Sequence, residues 1–163
     1  MAGQGRSEEG IAQMQEGLAA SRSMGAELAR PRDLCLLAEA CIGSGRLGDA
    51  LNALMEALAA ADEKQLRFYE AETHRLKGEL LLKQNVSNVA EAQKCFERAI
   101  EIARNQSARS MELRATMSLA RLLAKQGERD EARKMLADIY NWFTEGFDTA
   151  DLKDAKKLLE ELK

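Results

Sequence analysis

Residues 45–57 read Gly-Arg-Leu-Gly-Asp-Ala-Leu-Asn-Ala-Leu-Met-Glu-Ala, and this stretch decides the fold. A Gly-Arg dipeptide leads to a small residue at Ala50, a large apolar one at Leu54 and a small one at Ala57. The same arrangement recurs along the chain. Gly10, Ala50, Ala92 and Ala132 stand 40, 42 and 40 residues apart. Four positions after each come Met14, Leu54, Phe96 and Leu136, and three further on Gly17, Ala57, Ala99 and Ile139. Gly5-Arg6, Gly45-Arg46 and Gly127-Glu128 lie five residues upstream in three of the copies. Spacings of four and three hold such residues on one helical face. A fixed period of about forty residues signals stacked helical hairpins rather than one closed globule.

The partner helix of each hairpin is legible too. Ala38 lies twelve residues before Ala50, and Ala120 twelve before Ala132. Before Ala92 the matching small residue is Gly78, fourteen back, and Asn85-Val86-Ser87-Asn88 is the polar stretch that takes up the two extra residues as a loop. Matched small residues let two helices approach closely, while the large ones fill the space between layers.

Composition agrees. The 163 residues suit one domain, 45% hydrophobic and 31% charged residues suit a folded chain, and Ala, Leu, Glu, Lys and Arg favour helix. No alternating Val/Ile/Thr run reads as a strand. The expectation is an all-α, right-handed superhelical stack forming a single domain over 1–163. A half-repeat helix spans 7–25, hairpins span 31–62, 66–105 and 110–144, and a capping helix spans 149–162. Pro31 opens its helix in the first turn, where a missing N–H is harmless. Gly127 closes another, and Thr149 reads as an N-cap with Asp151 in the first turn behind it. The last helix sets Leu152, Ala155, Leu158, Leu159 and Leu162 on one face and Lys153, Asp154, Lys156, Lys157, Glu160 and Glu161 on the other, as the end of a stack requires.

The pattern starts in the middle of a hairpin, with Gly5-Arg6 expected as the turn. That suggests a piece of a longer protein and leaves Ile11, Met14 and Leu18 as an exposed apolar strip.

The formal net charge is −3 with acids and bases interleaved, so the basic footprint of a nucleic-acid binder is missing. No apolar run is long enough to cross a bilayer, and MAGQGRSEEG is no secretory signal. Cys35, Cys41 and Cys95 are an odd set without a tight pair, read as reduced thiols in a cytoplasmic protein.

The small–small–large pattern resembles the tetratricopeptide repeat. Ala38, Gly78 and Ala120 match its eighth position, Ala50, Ala92 and Ala132 its twentieth, and Phe96 its aromatic. The longer period implies longer helices. The segments from Phe68 to Glu72, His74 to Leu81, Ser118 to Leu122 and Trp142 to Thr149 resemble the C-terminal repeats of large bacterial signalling proteins that join a cyclase-like domain to an AAA-type ATPase. There the repeats serve as a sensor or docking arm. This chain has no cyclase segment and no phosphate-binding Gly-x-x-x-x-Gly-Lys-Ser/Thr loop, so neither activity carries over.

In such a stack the first helix of each hairpin lines the concave groove. That places Arg32, Cys35 and Glu39 on it from the first complete hairpin, Glu72, Arg75, Glu79 and Lys83 from the second, and Arg114, Met117, Arg121 and Lys125 from the third. Arg114, Arg121 and Lys125 read as a basic row which, with Arg75 and Lys83, suits a peptide carboxylate or acidic side chains. The alternative is a solvated face balanced by Glu72 and Glu79. Tyr69 is a candidate anchor at the groove edge, though Phe68 and Tyr69 more simply seal the gap between hairpins. Trp142, Phe143 and Phe147 are read as locking the last helix down. His74 lacks the partner and nucleophile that acid–base work needs. No catalytic constellation, cofactor or metal site is expected. The function expected is a non-catalytic module that binds a protein or peptide in its groove. Self-association as a homodimer and small-molecule sensing are the alternatives.

Overall fold

The computed structural model describes residues 2–25, 27–64 and 66–163. Its elements are α1 (Ala2–Ser23), α2 (Arg30–Gly43), α3 (Leu47–Lys64), α4 (Glu70–Gln84), α5 (Val89–Asn105), α6 (Arg109–Gln126), α7 (Arg129–Tyr140) and α8 (Ala150–Glu161). Short 3-10 turns at Arg67–Tyr69 and Val86–Asn88 precede α4 and α5, and no strand occurs among the described residues. The bounds follow the sequence pattern closely, with one clear departure. Gly5-Arg6 lies inside α1 and is helical, not a turn. The Asn85–Asn88 stretch is the expected connection: the Asn85 carboxamide oxygen accepts a hydrogen bond from the Ser87 N–H at 3.0 Å and starts the 3-10 turn.

Consecutive helices pack as neighbours, and the even-numbered ones also touch in the order α2, α4, α6, α8. Among the described residues no odd-numbered helix touches another odd-numbered one. The even helices therefore form one continuous layer. The odd helices lie apart on its far side, with clefts between them.

The repeat residues build the contacts. Ala38, Ala50, Ala92, Ala120 and Ala132 are wholly buried, as are Phe96 and Leu136, with Leu54 almost so. Gly78 is the tightest of the small positions. A Cβ built there stands 2.5 Å from the Phe96 ring, so α4 and α5 meet at a distance only glycine permits. The apolar core is divided, with Leu34, Ala38, Leu54 and Leu76 in an N-terminal cluster and Phe96, Leu119, Leu136 and Leu158 in a C-terminal one. A third, small cluster joins Ala71 to Ile102 and Ala103.

Three helix ends share one termination geometry. After α6, the Gly127 N–H donates to Ala124 O and the Glu128 N–H to Leu123 O, with Gly127 left-handed at φ 93°. Gly45 ends α2 in the same way, through Gly45 to Ile42 and Arg46 to Cys41. After α5 the left-handed position is Ser107, at φ 55°. Thr149 stands at the N-cap of α8 with extended backbone, but its hydroxyl donates to Gly146 O at 2.7 Å instead of capping the helix.

The two ends differ from expectation in part. In α1, Ile11 and Leu18 are buried in the N-terminal cluster, so only Met14 of the expected strip is exposed. In α8, Leu152, Ala155, Leu158 and Leu162 are buried and the charged face is exposed, as the pattern requires. Phe143 packs on the C-terminal core, but Trp142 and Phe147 are largely exposed. Phe147 leans on Tyr140 with ring centroids 5.8 Å apart, and the Arg109 guanidinium sits 5.3 Å from the centre of the Trp142 ring. Phe68 is exposed rather than sealing a gap between hairpins, while Tyr69 is half-buried against the N-terminal core.

Candidate functional site

The even-helix layer gathers most of the residues assigned to the groove, but many of their charges are already matched. Glu72 of α4 is almost fully buried. Its Oε2 accepts from Arg75 Nε at 2.9 Å and its Oε1 from Arg75 Nη2 at 2.7 Å. Arg114 of α6 brings Nη1 to 3.0 Å from the same Oε1. Glu39 of α2 accepts from both guanidiniums, each at 3.1 Å. Glu79 lies 3.8 Å from Arg75 and accepts a 2.7 Å hydrogen bond from the Ser118 hydroxyl of α6. Asp151 of α8 lies 4.0 Å from Arg114. One cluster thus joins all four even helices. It sets four carboxylates against two guanidiniums, a formal charge of −2.

The i, i+3 and i+4 spacing of Glu72, Arg75 and Glu79 aligns them on one face of α4. Burial would lower the Arg75 pKa, but the Glu72 hydrogen bonds and charge, with Glu39 and Glu79, outweigh it and raise it. Arg75 is therefore a fixed cation inside the layer and unavailable to a ligand.

This revises the basic row. Arg75 and Arg114 serve the cluster, and Arg32 pairs with Asp33 at 2.9 Å. Met117 is buried in the core and Cys35 is buried between α2 and α4, its Sγ 3.3 Å from Thr73 Oγ1. Being buried, neither residue lines a groove, and burial pushes the Cys35 thiol up to about 12. Lys83, Arg121 and Lys125 are exposed, with no ion-pair partner among the described residues. The Ser118–Glu79 hydrogen bond sets α6 beside α4, and along the chain Lys83 follows Glu79 by four residues while Arg121 and Lys125 follow Ser118 by three and seven.

Two buried charges were missed by the sequence reading. Arg30, at the start of α2, is 8% exposed and pairs with Glu56 of α3. Glu112, in the first turn of α6, is 3% exposed and accepts from Arg104 at 2.7 Å and Arg109 at 2.6 Å. Their numbers differ by 82, the sum of the first two repeat periods, so they are the same position with opposite sign. That coincidence was the available signal. Arg30 also lines a cavity of about 400 Å³ between α1 and α3, floored by Leu34 and Leu37. A second of about 400 Å³ lies between α5 and α7 over Leu119 and Leu123. Both are the clefts that untouching odd helices leave open.

His74 is half-buried on α4. Burial lowers its pKa, against the opposing charge of Glu70. Among the described residues no group of three or more His, Cys, Asp or Glu is placed to hold a metal ion. No described helix is long and apolar enough to cross a membrane. No family model matches the chain, and no curated protein matches it.

Proposed function

We propose that this chain is a non-catalytic protein-interaction module of the tetratricopeptide type. In this reading the hairpins wind as a right-handed superhelix with the even helices on the concave side. The module serves as the scaffold or sensor arm of a larger, cytoplasmic bacterial signalling protein. The observation that carries it is the continuous α2–α4–α6–α8 layer, whose charged cluster joins four helices beside Lys83, Arg121 and Lys125, which have no ion-pair partner among the described residues. The reduced thiols and the forty-residue period favour the same reading.

The ligand is a protein segment whose acidic side chain or carboxylate meets Lys83, Arg121 and Lys125. Arg75 and Arg114, held by Glu39 and Glu72, keep the four helices in register beneath it. Such rim cations set specificity and association rate more than affinity, so binding should weaken with salt.

Peptide-display selection on the immobilised protein tests this. Enrichment of acidic peptides that bind the wild type and lose binding to Arg121→Glu/Lys125→Glu, with unchanged circular dichroism, supports the reading. Selection of no acidic motif, or peptides indifferent to the double reversal, overturns it.

A further inference from the structure

The two clefts between odd helices are built from the same repeat positions. Leu18, Arg22, Leu37 and Asp49 line the α1–α3 cavity, and Ile100, Arg104, Leu119 and Glu131, each 82 residues on, line the α5–α7 one. In the second cleft the arginine has its carboxylate: Arg104 donates to buried Glu112 at 2.7 Å. In the first, the position of Glu112 belongs to Arg30. Two cations, Arg22 and Arg30, therefore stand where the other copy has an ion pair. Arg22 is exposed and has no ion-pair partner among the described residues.

Arg30 is almost fully buried and lines the cavity. A guanidinium carries five N–H donors. Glu56 Oε1 accepts one from Nε at 3.0 Å and another from Nη2. Nη1 brings two donors, and among the described residues its one hydrogen bond runs to Leu18 O at 3.5 Å, long for such a bond. Leaving a buried charge under-bonded is costly. The remaining carboxylate of the wall, Asp49, is held by Arg46 at 2.6 Å. Below the charges the cavity is apolar, with Leu18, Leu34 and Leu37 all buried.

We propose that the α1–α3 cavity binds a small organic monocarboxylate, with its acid group between Arg22 and Arg30 and its apolar stem on Leu18, Leu34 and Leu37. The carboxylate supplies from outside what Glu112 supplies within the chain two repeats on, where one carboxylate accepts from both Arg104 and Arg109. About 400 Å³ lies at the small end for a ligand pocket, so the stem is short. Glu56 and Asp49 repel a second anionic group, which selects a monoacid over a diacid. The bound acid bridges α1 and α2, giving the module a small-molecule input separate from its protein ligand. The site shares no residue with the Lys83, Arg121 and Lys125 surface, so either proposal can fail alone.

Isothermal titration calorimetry of the full chain with hexanoate, phenylacetate and their amides tests this. The acids should bind saturably at one site per chain. Each amide should bind about tenfold more weakly or worse, because a neutral group forms no charge-assisted pair. Arg22→Gln should weaken the acids by a similar factor, and Ala19→Trp should abolish binding by filling the cavity from its rim. Both positions are exposed, so both variants should keep the wild-type circular dichroism. Arg121→Glu/Lys125→Glu should leave affinity for the acids unchanged. No saturable binding of either acid, acid and amide bound alike, indifference to Arg22→Gln or Ala19→Trp, or loss of binding in the Arg121/Lys125 double variant each overturns the proposal.

Discussion

Arg114 Nη2 donates to Glu39 Oε1 at 3.1 Å although 75 residues separate them in sequence. The bond steps over α4 and ties α2 directly to α6, so the cluster braces three hairpins at once.

Arg75 is the centre of that brace. Arg75→Ala should cost about 3 kcal/mol, because it strips Glu72 of two hydrogen bonds while the carboxylate stays buried. Equilibrium urea unfolding measures the loss. Glu72→Gln combined with Arg75→Met should recover much of it, since the uncompensated charge is then gone. A double variant as unstable as Arg75→Ala would contradict the account.

Gly78→Ala should destabilise by about 1–3 kcal/mol through overpacking against Phe96. The clash is with a wholly buried ring. Phe96→Leu should relieve it, making the two substitutions less than additive in denaturant midpoints.

Ser107→Gly should stabilise by about 1 kcal/mol, since a left-handed backbone is costly for a residue with a Cβ. Gly45 and Gly127 already hold equivalent helix-end positions. A rise in Tm by calorimetry is the expected result, and a fall would show that the Ser107 side chain stabilises the turn.

His74 should make stability depend on pH at and below its ordinary value of 6.5. Its folded-state pKa lies below its ordinary value of 6.5, with burial as the main cause. The unfolded chain therefore binds more protons in this window, and stability rises with pH across it. The contribution is complete above the ordinary value and declines as pH falls towards the folded one. His74→Gln should flatten this part of a curve of urea midpoint against pH. An unchanged slope would assign the dependence to carboxylates.

The hairpins were legible because helical spacing repeats. Ala50, Leu54 and Ala57 declare a face, and three further copies at a constant period leave few ways to pack them. The site was less legible. Arg114, Arg121 and Lys125 align on α6 whichever way their charges are used, and helical spacing carries no information about what faces them from another helix. Arg75 has Glu72 and Glu79 within helical reach on α4, but Glu39 lies 36 residues away and only the packing of α2 on α4 brings it in. Trp142 and Phe147 were read as packing residues from hydrophobicity, yet the bend after α7 leaves both exposed.

What the sequence by itself determined is therefore the local and periodic part: eight helices, their turns, and the small residues where they cross. Those follow from propensity, capping and a repeating face, all properties of neighbouring residues. Tertiary structure alone decided which charges stay free. Whether an arginine can meet a partner depends on the carboxylates brought within about 4 Å by the stacking of different hairpins, and Coulomb attraction acts on that distance, not on separation along the chain.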